Sequence, residues 1–254
     1  MNLFYRTLGK GEPLVILHGL FGSSDNWMTL GNICSKHFQV ILVDLRNHGR
    51  SPQSELWDYP AMAEDIYLLV KRLEFNKINL IGHSMGGKVG MTLAHKYPAL
   101  LKKLVVADIA PKYYPVRHQQ IINGLLSINL NEISNRRDAD IQLSSYISEP
   151  GIRMFLLKNL EKNPEGGFKW KLNLKVIDNH LENVGEITLP VTKISVPTLF
   201  VRGINSDYVT DEDIMEIRKY YSDSTVETIG NAGHWIHAEQ PEAFTKTVLN
   251  FLKD

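Results

Sequence analysis

Gly82-His83-Ser84-Met85-Gly86 is the stretch of this sequence best suited to covalent chemistry. It follows the apolar, β-type run Ile78-Asn79-Leu80-Ile81 and precedes a helix-forming segment from Lys88 to Tyr97. A Gly-x-Ser-x-Gly pattern between strand and helix predicts a sharp turn that strains the serine backbone and lifts its hydroxyl clear of the sheet. Neighbouring backbone passes close to such a turn, so the positions two before and two after must lack a Cβ; both are glycine. The same five residues also fit a plain βα turn that cradles a phosphate at a helix N-terminus. The residues that accompany Ser84 decide between these readings.

A serine hydroxyl is a poor nucleophile at neutral pH and needs a base to take its proton. Of nine histidines, His234 has the most telling context. Asn231-Ala232-Gly233-His234 follows the β-type run Thr225 to Ile229 and precedes a helical segment. This places the ring on a loop at the edge of a sheet where ligands of open α/β folds collect, the edge that also carries Ser84. His237 is expected to brace that loop through a hydrogen bond. A metal site built from His234, His237 and Glu239 has poor ligand spacing and is set aside.

Attack on a carbonyl creates an oxyanion that needs preorganised donors. The N–H of Met85, at the start of the helix after the nucleophile, supplies one. His18-Gly19-Leu20-Phe21-Gly22 follows the run Leu14 to Leu17, and the Leu20 N–H is the expected second donor, with Phe21 N–H as its rival. Phe21 is also placed to wall a substrate pocket, and His18 to orient the loop. A carboxylate must then hold the imidazole. Asp108 and Asp207 each follow a strand-like run at the same edge, and spacing leaves both open. Asp44 ends a strand as well, but it precedes the turn Asn47 to Ser51 and is expected to brace it.

The elements that must position these groups are legible as apolar runs: Leu14 to Leu17, Phe38 to Val43, Ile78 to Ile81, Leu104 to Ala107, Thr198 to Val201 and Thr225 to Ile229. Their hydrophobicity is continuous rather than alternating, so both faces of the sheet are covered and its strands are mainly parallel. Asn2 to Leu8 alternates and is expected as an antiparallel edge. Ala61 to Leu73 and Pro241 to Leu252 carry apolar residues at helical spacing. Residues 112–195 show helical periodicity without a strand of the sheet type, apart from the alternating Phe168 to Leu172. A segment this long cannot be a plain loop, so it is expected to form a helical lid over the sheet. The expected division is a core of residues 1–111 and 196–254 with the lid as an insertion of the same domain.

Composition narrows the partners. The chain has 254 residues, 43% of them hydrophobic, and 28 basic residues balance 28 acidic ones. No basic stripe with interleaved aromatics points to nucleic acid, and no apolar run approaches a membrane span. Cys34 is the single cysteine, which excludes an internal disulfide and suits a reducing, cytoplasmic setting. It is read as packing rather than as a nucleophile.

Four strings together carry a resemblance to the α/β-hydrolase fold superfamily. They are His18-Gly19-Leu20-Phe21-Gly22-Ser23, Asp44-Leu45-Arg46-Asn47-His48-Gly49-Arg50-Ser51, Gly82 to Lys88, and Asp108-Ile109-Ala110-Pro111. They are similar more narrowly to the YbfF-type esterases and their mitochondrial abhydrolase relatives. The resemblance extends over essentially the whole chain and implies an α/β fold, a mostly parallel sheet flanked by helices, with a helical lid. It implies a serine hydrolase of the carboxylesterase type, acting on small esters of short acyl chains, and on some thioesters, without metal or organic cofactor. The acid in that subgroup maps onto Asp108. Most of the superfamily takes it one strand later, where this chain has Ser206 and then Asp207, so Asp207 stays the alternative. A carbon–carbon bond hydrolase or perhydrolase shares the same triad. A non-catalytic small-molecule sensor would keep the elbow and the pocket.

Overall fold

A computed structural model describes residues 1–188 and 192–254. In chain order the first elements are β1 (Tyr5–Leu8), β2 (Glu12–Leu17), α1 (Met28–Cys34), β3 (Phe38–Val43), α2 (Tyr59–Arg72), β4 (Ile78–His83), α3 (Met85–Lys96) and β5 (Leu101–Ala107). Next come α4 (Gln119–Ser127), α5 (Arg136–Ser144), α6 (Pro150–Leu157), β6 (Leu160–Lys162), β7 (Phe168–Trp170), α7 (Leu174–Asn179) and α8 (Leu181–Gly185). The chain closes with β8 (Thr198–Gly203), α9 (Asp211–Tyr220), β9 (Ser224–Ile229), α10 (Ile236–Glu239) and α11 (Pro241–Lys253).

Seven strands form one sheet in the order β1-β3-β2-β4-β5-β8-β9. Six run parallel, and β1 pairs antiparallel with β3 at the edge. The continuous apolar runs follow from burial on both faces. In β2, Val15 and Leu17 join the core beneath α2 and α3, whereas Leu14 and Ile16 join the core beneath α1 and α11. β2 is extended by Glu12 and Pro13, and β5 begins three residues before its apolar run, at Leu101. Glu12, Lys102 and Lys103 are charged and Pro13 is half-buried, so apolarity does not mark these ends. Helix α2 starts where Asp58 accepts a hydrogen bond from the Ala61 N–H at 2.7 Å, with Pro60 in the first turn. Cys34 is fully buried, and burial pushes its thiol up to about 11, far from a reactive thiolate.

The strand order reverses between β2 and β4. The chain winds one way through β2 and β3, then the other way through β4, β5, β8 and β9, which opens a crevice at the carboxyl ends of β2 and β4. Among the described residues, five helices and the antiparallel β6–β7 hairpin lie between β5 and β8. This insert is fastened to the loops at the carboxyl edge. Asn159 Nδ2 donates to Phe21 O at 2.8 Å, Asn173 N to Asn47 O at 3.0 Å, and Tyr59 Oη to Val184 O at 2.7 Å. The alternating Phe168 to Leu172 supplies β7; its partner β6 is only three residues long and carried no readable pattern. Lys88 is fully buried, and its ammonium donates to Lys112 O at 2.9 Å, Gly185 O at 3.1 Å and Glu186 O. One side chain of the helix after Ser84 thus holds both ends of the insert. No helix among the described residues is long and apolar enough to cross a membrane.

Candidate active site

Ser84 sits at the tip of β4 with φ 51° and ψ −117°, a conformation that costs a residue with a Cβ free energy and persists only because its surroundings impose it. Those surroundings are backbone. Ser84 N donates to Ala107 O at 2.9 Å, and Lys88 N to Ser84 O at 3.1 Å. A Cβ on Gly82 would lie 2.2 Å from Gly86 O, and one on Gly86 would lie 2.6 Å from the carbonyl oxygens of Leu17 and His18. Glycine at both positions is therefore a steric requirement of the turn.

His234 lies on the loop after β9, and its Nδ1 donates to Asp108 Oδ2 at 2.8 Å. Since the carboxylate only accepts, the ring proton sits on Nδ1 and Nε2 keeps its lone pair. Asp108 follows β5 directly, has φ 50° and is fully buried. Its Oδ1 accepts from Gly203 N at 3.1 Å, and its Oδ2 also accepts from Ser206 Oγ. Asp207, the alternative acid, is placed elsewhere. Its side chain is 74% exposed and pairs with Arg117 at 2.8 Å. Ser84 and His234 line one cavity, together with Gly19, Leu20, Phe21 and His83. No hydrogen bond joins Ser84 Oγ to the imidazole among the described residues, as is common before a substrate closes such a site.

The loop after β2 folds back under the elbow. Gly22 N donates to Gly19 O at 3.0 Å, and Phe21 adopts φ 60°. The N–H groups of Leu20, Phe21 and Met85 find no acceptor among the described residues. His18 fixes this loop to the next one. Its Nε2 accepts from Leu45 N at 2.9 Å, so Nδ1 carries the proton and donates to Gly19 O at 2.8 Å. Asp44 is buried and accepts from Ser24 N at 2.6 Å and Arg50 N at 2.9 Å, which braces the turn ending at Ser51.

His237 departs from its expected hydrogen-bonding role. It stacks on Trp27 with ring centroids 4.1 Å apart, and its buried Nδ1 has no hydrogen-bond partner among the described residues. Glu239 is engaged by Gly233 N at 2.7 Å and Trp235 N at 3.1 Å. Three further residues join the site that the motifs did not single out for these roles. His83, hidden in a variable position of the elbow, donates from Nε2 to His234 O at 2.8 Å and so holds the histidine loop. Ser206 donates to Asp108. Tyr208 lays its ring against that of His234, with centroids 3.8 Å apart. Only the aromatic type of Tyr208, two residues past Ser206, could have marked it.

Burial keeps most of the histidines neutral. It lowers His48 and His237 to about 3 and His118 to about 4, and it also pulls down His18 and His83. The unfolded chain takes up protons on these rings near their ordinary value of about 6.5, while the folded chain does not. Stability from this source is therefore complete above about pH 6.5 and is lost as pH falls toward the lowered values. Calorimetry at stepwise pH should show Tm falling steeply between about pH 6 and pH 4. His48→Gln should flatten that slope.

Similarity to known proteins agrees with this arrangement. The profile of the alpha/beta hydrolase fold family matches residues 12–127. The chain is 39% identical over 251 residues to the sn-1-specific diacylglycerol lipase ABHD11 of Xenopus laevis, covering 96% of this chain and 80% of that protein. It is 34% identical to the esterase YbfF of Escherichia coli (strain K12), covering 96% of this chain and 94% of that one. A solved structure described as a marine microorganism esterase superposes with a TM-score of 0.94 at 43% identity, over 98% of both chains. With its parallel sheet, its elbow at the strand reversal and these relatives, the chain belongs to the α/β-hydrolase fold family, in the subgroup of YbfF-type esterases.

Proposed function

We propose that this protein hydrolyses carboxylic esters through an acyl-enzyme on Ser84, with His234 as the base and Asp108 as the acid that orients it. The observation that carries the reading is the bond from His234 Nδ1 to buried Asp108, which leaves Nε2 as the basic atom in the cavity that Ser84 lines. As Ser84 Oγ attacks the carbonyl carbon, its proton passes to Nε2, and the carbonyl oxygen takes the negative charge. The N–H of Met85 and that of Leu20, or Phe21 in its place, would receive that charge. Collapse breaks the ester C–O bond, and the leaving alcohol takes the proton from Nε2. Water then gives a proton to Nε2 as it attacks the acyl carbon, and Ser84 recovers its proton as the acid departs.

The size of the cavity supports a short acyl group. It has a volume of about 50 Å3, room for a few heavy atoms against Phe21, Ile121 and Leu156. A second reading has its own observation. An open, largely apolar groove of about 520 Å3 continues past Ile152, Phe155 and Trp235, and would admit the longer chain of an acylglycerol, the substrate class named for the diacylglycerol lipase relatives. In both readings the insert acts as a lid, dividing the chain at 112–195.

A series of p-nitrophenyl esters and acyl thioesters, run beside fluorophosphonate labelling, separates these readings. The short-acyl reading expects kcat/KM to peak at two to four acyl carbons and to fall at least about tenfold by eight, as chain length meets the cavity wall. A maximum at eight carbons or beyond transfers the acyl chain to the groove. A protein that neither turns over esters nor labels at Ser84 is no serine hydrolase, and the sensor reading takes its place.

A further inference from the structure

From the stack of its ring on the imidazole of His234, we infer that Tyr208 is a positioning residue that steadies the base and stabilises its protonated form. This rests on the reading of His234 as the base.

Two contacts fix the orientation of the His234 ring. Asp108 holds Nδ1 in the plane of the ring, and Tyr208 lies along the face, at 3.8 Å between centroids and 19° between planes. A hydrogen bond to Nδ1 alone leaves the ring free to rock about that bond; a flat neighbour on its face removes the rocking. Tyr208 is itself well held. Its carbonyl accepts from Tyr114 Oη at 2.6 Å, its N–H donates to Ser206 Oγ at 3.3 Å, and the Tyr114 ring packs beside it at 5.4 Å. The Arg117 guanidinium sits 5.3 Å from the Tyr208 ring and is paired with Asp207. Ser206 therefore joins the two supports, donating to Asp108 and accepting from Tyr208.

The chemistry gives this stack a second effect. When Nε2 takes the serine proton the ring becomes a cation, and an aromatic face attracts a cation through its quadrupole. The gain arises in the transition state, where the charge develops, so it acts on kcat. The other ionisable groups around the ring do not substitute for it. Asp108 stabilises the same cation from the plane of the ring and stays in place when Tyr208 is changed, and Arg117 is engaged by Asp207. His83, with its ring 4.8 Å from His234, and His118 and His237, which line the same cavity, are kept neutral by burial.

The test uses Tyr208→Phe and Tyr208→Leu in the full chain, with p-nitrophenyl acetate and a pH series. Tyr208→Leu is expected to lower kcat about tenfold with KM within about twofold, and to move the acid limb of kcat/KM down by about half a pH unit or more. Tyr208→Phe, which keeps the face and loses only the hydroxyl, is expected to stay within about twofold of wild type with its acid limb in place. An unmoved acid limb in Tyr208→Leu, or a Tyr208→Phe as impaired as Tyr208→Leu, overturns the inference. Should Tyr208→Leu fail to fold, proton NMR of the wild type and Tyr208→Phe decides. A stacked ring puts the His234 Hε1 signal upfield through the ring current in both proteins, and its absence overturns the inference. Labelling of Ser84 in the wild type keeps a failure of this inference distinct from a failure of the triad.

Discussion

Ser84→Ala is expected to lower kcat for a short p-nitrophenyl ester by about 10^4- to 10^6-fold while leaving KM and the melting temperature close to wild type. The two halves of this outcome have separate causes. The rate falls because the acyl-enzyme route is closed: no side-chain oxygen remains at the elbow, and what survives is the water reaction helped by binding and by the amides of Leu20 and Met85. The fold survives because alanine keeps the Cβ, and the elbow is held by main-chain contacts. Ser84 N still reaches Ala107 O, Lys88 N still reaches the carbonyl of residue 84, and the glycines at 82 and 86 still let the chain pass. Fluorophosphonate labelling should vanish in the same variant. Residual turnover near wild type, with the fold intact by calorimetry, would remove Ser84 from the reaction and with it the reading of the whole site.

The elements that place the serine were legible because each carries a strong local signal. Continuous apolar runs marked the strands covered on both faces, and the alternation of residues 2–8 marked the edge strand. Glycine at 82 and 86 marked a turn whose geometry tolerates nothing larger. What stayed hidden depends on contacts between loops distant in sequence. Asp108 and Asp207 both follow strands that end at the same edge, so spacing weighs them equally. Their separation rests on the left-handed backbone at 108, which sends one carboxylate inward, and on Arg117, which holds the other in solvent. Tyr208 offered only its aromatic type, because a single aromatic in a loop has no periodicity to betray its neighbour. Lys88 counted only as the start of a helix-forming segment; the return of the insert at Gly185 and Glu186 supplies the carbonyls that make its burial tolerable. His237 followed the same rule, its surroundings being an indole from the first part of the chain rather than the loop it belongs to.

The second large effect concerns the acid. Asp108→Asn is expected to lower kcat/KM by about 10^3- to 10^4-fold, and Asp207→Asn to change it by less than about twofold. An asparagine at 108 preserves shape and volume, so packing is not the cause. Its amide can present N–H toward His234 Nδ1, which then becomes an acceptor and sends the ring proton to Nε2. A ring in that tautomer has no lone pair to take the serine proton. The developing imidazolium also loses a buried charge held 2.8 Å away. Asp207 offers the contrast, because its bond to Arg117 is exposed and such pairs contribute little. Ser206→Ala lies between them. It removes one donor from Asp108 while Gly203 N and His234 remain to hold the carboxylate, so a loss of about fivefold to tenfold is the expected result for one of three donors to a buried charge. Measured together by steady-state kinetics, the three variants rank the carboxylates. A deficit in Asp207→Asn exceeding that in Asp108→Asn would move the acid one strand later, to the place most of the superfamily uses, and would leave the buried carboxylate beside His234 as a structural brace.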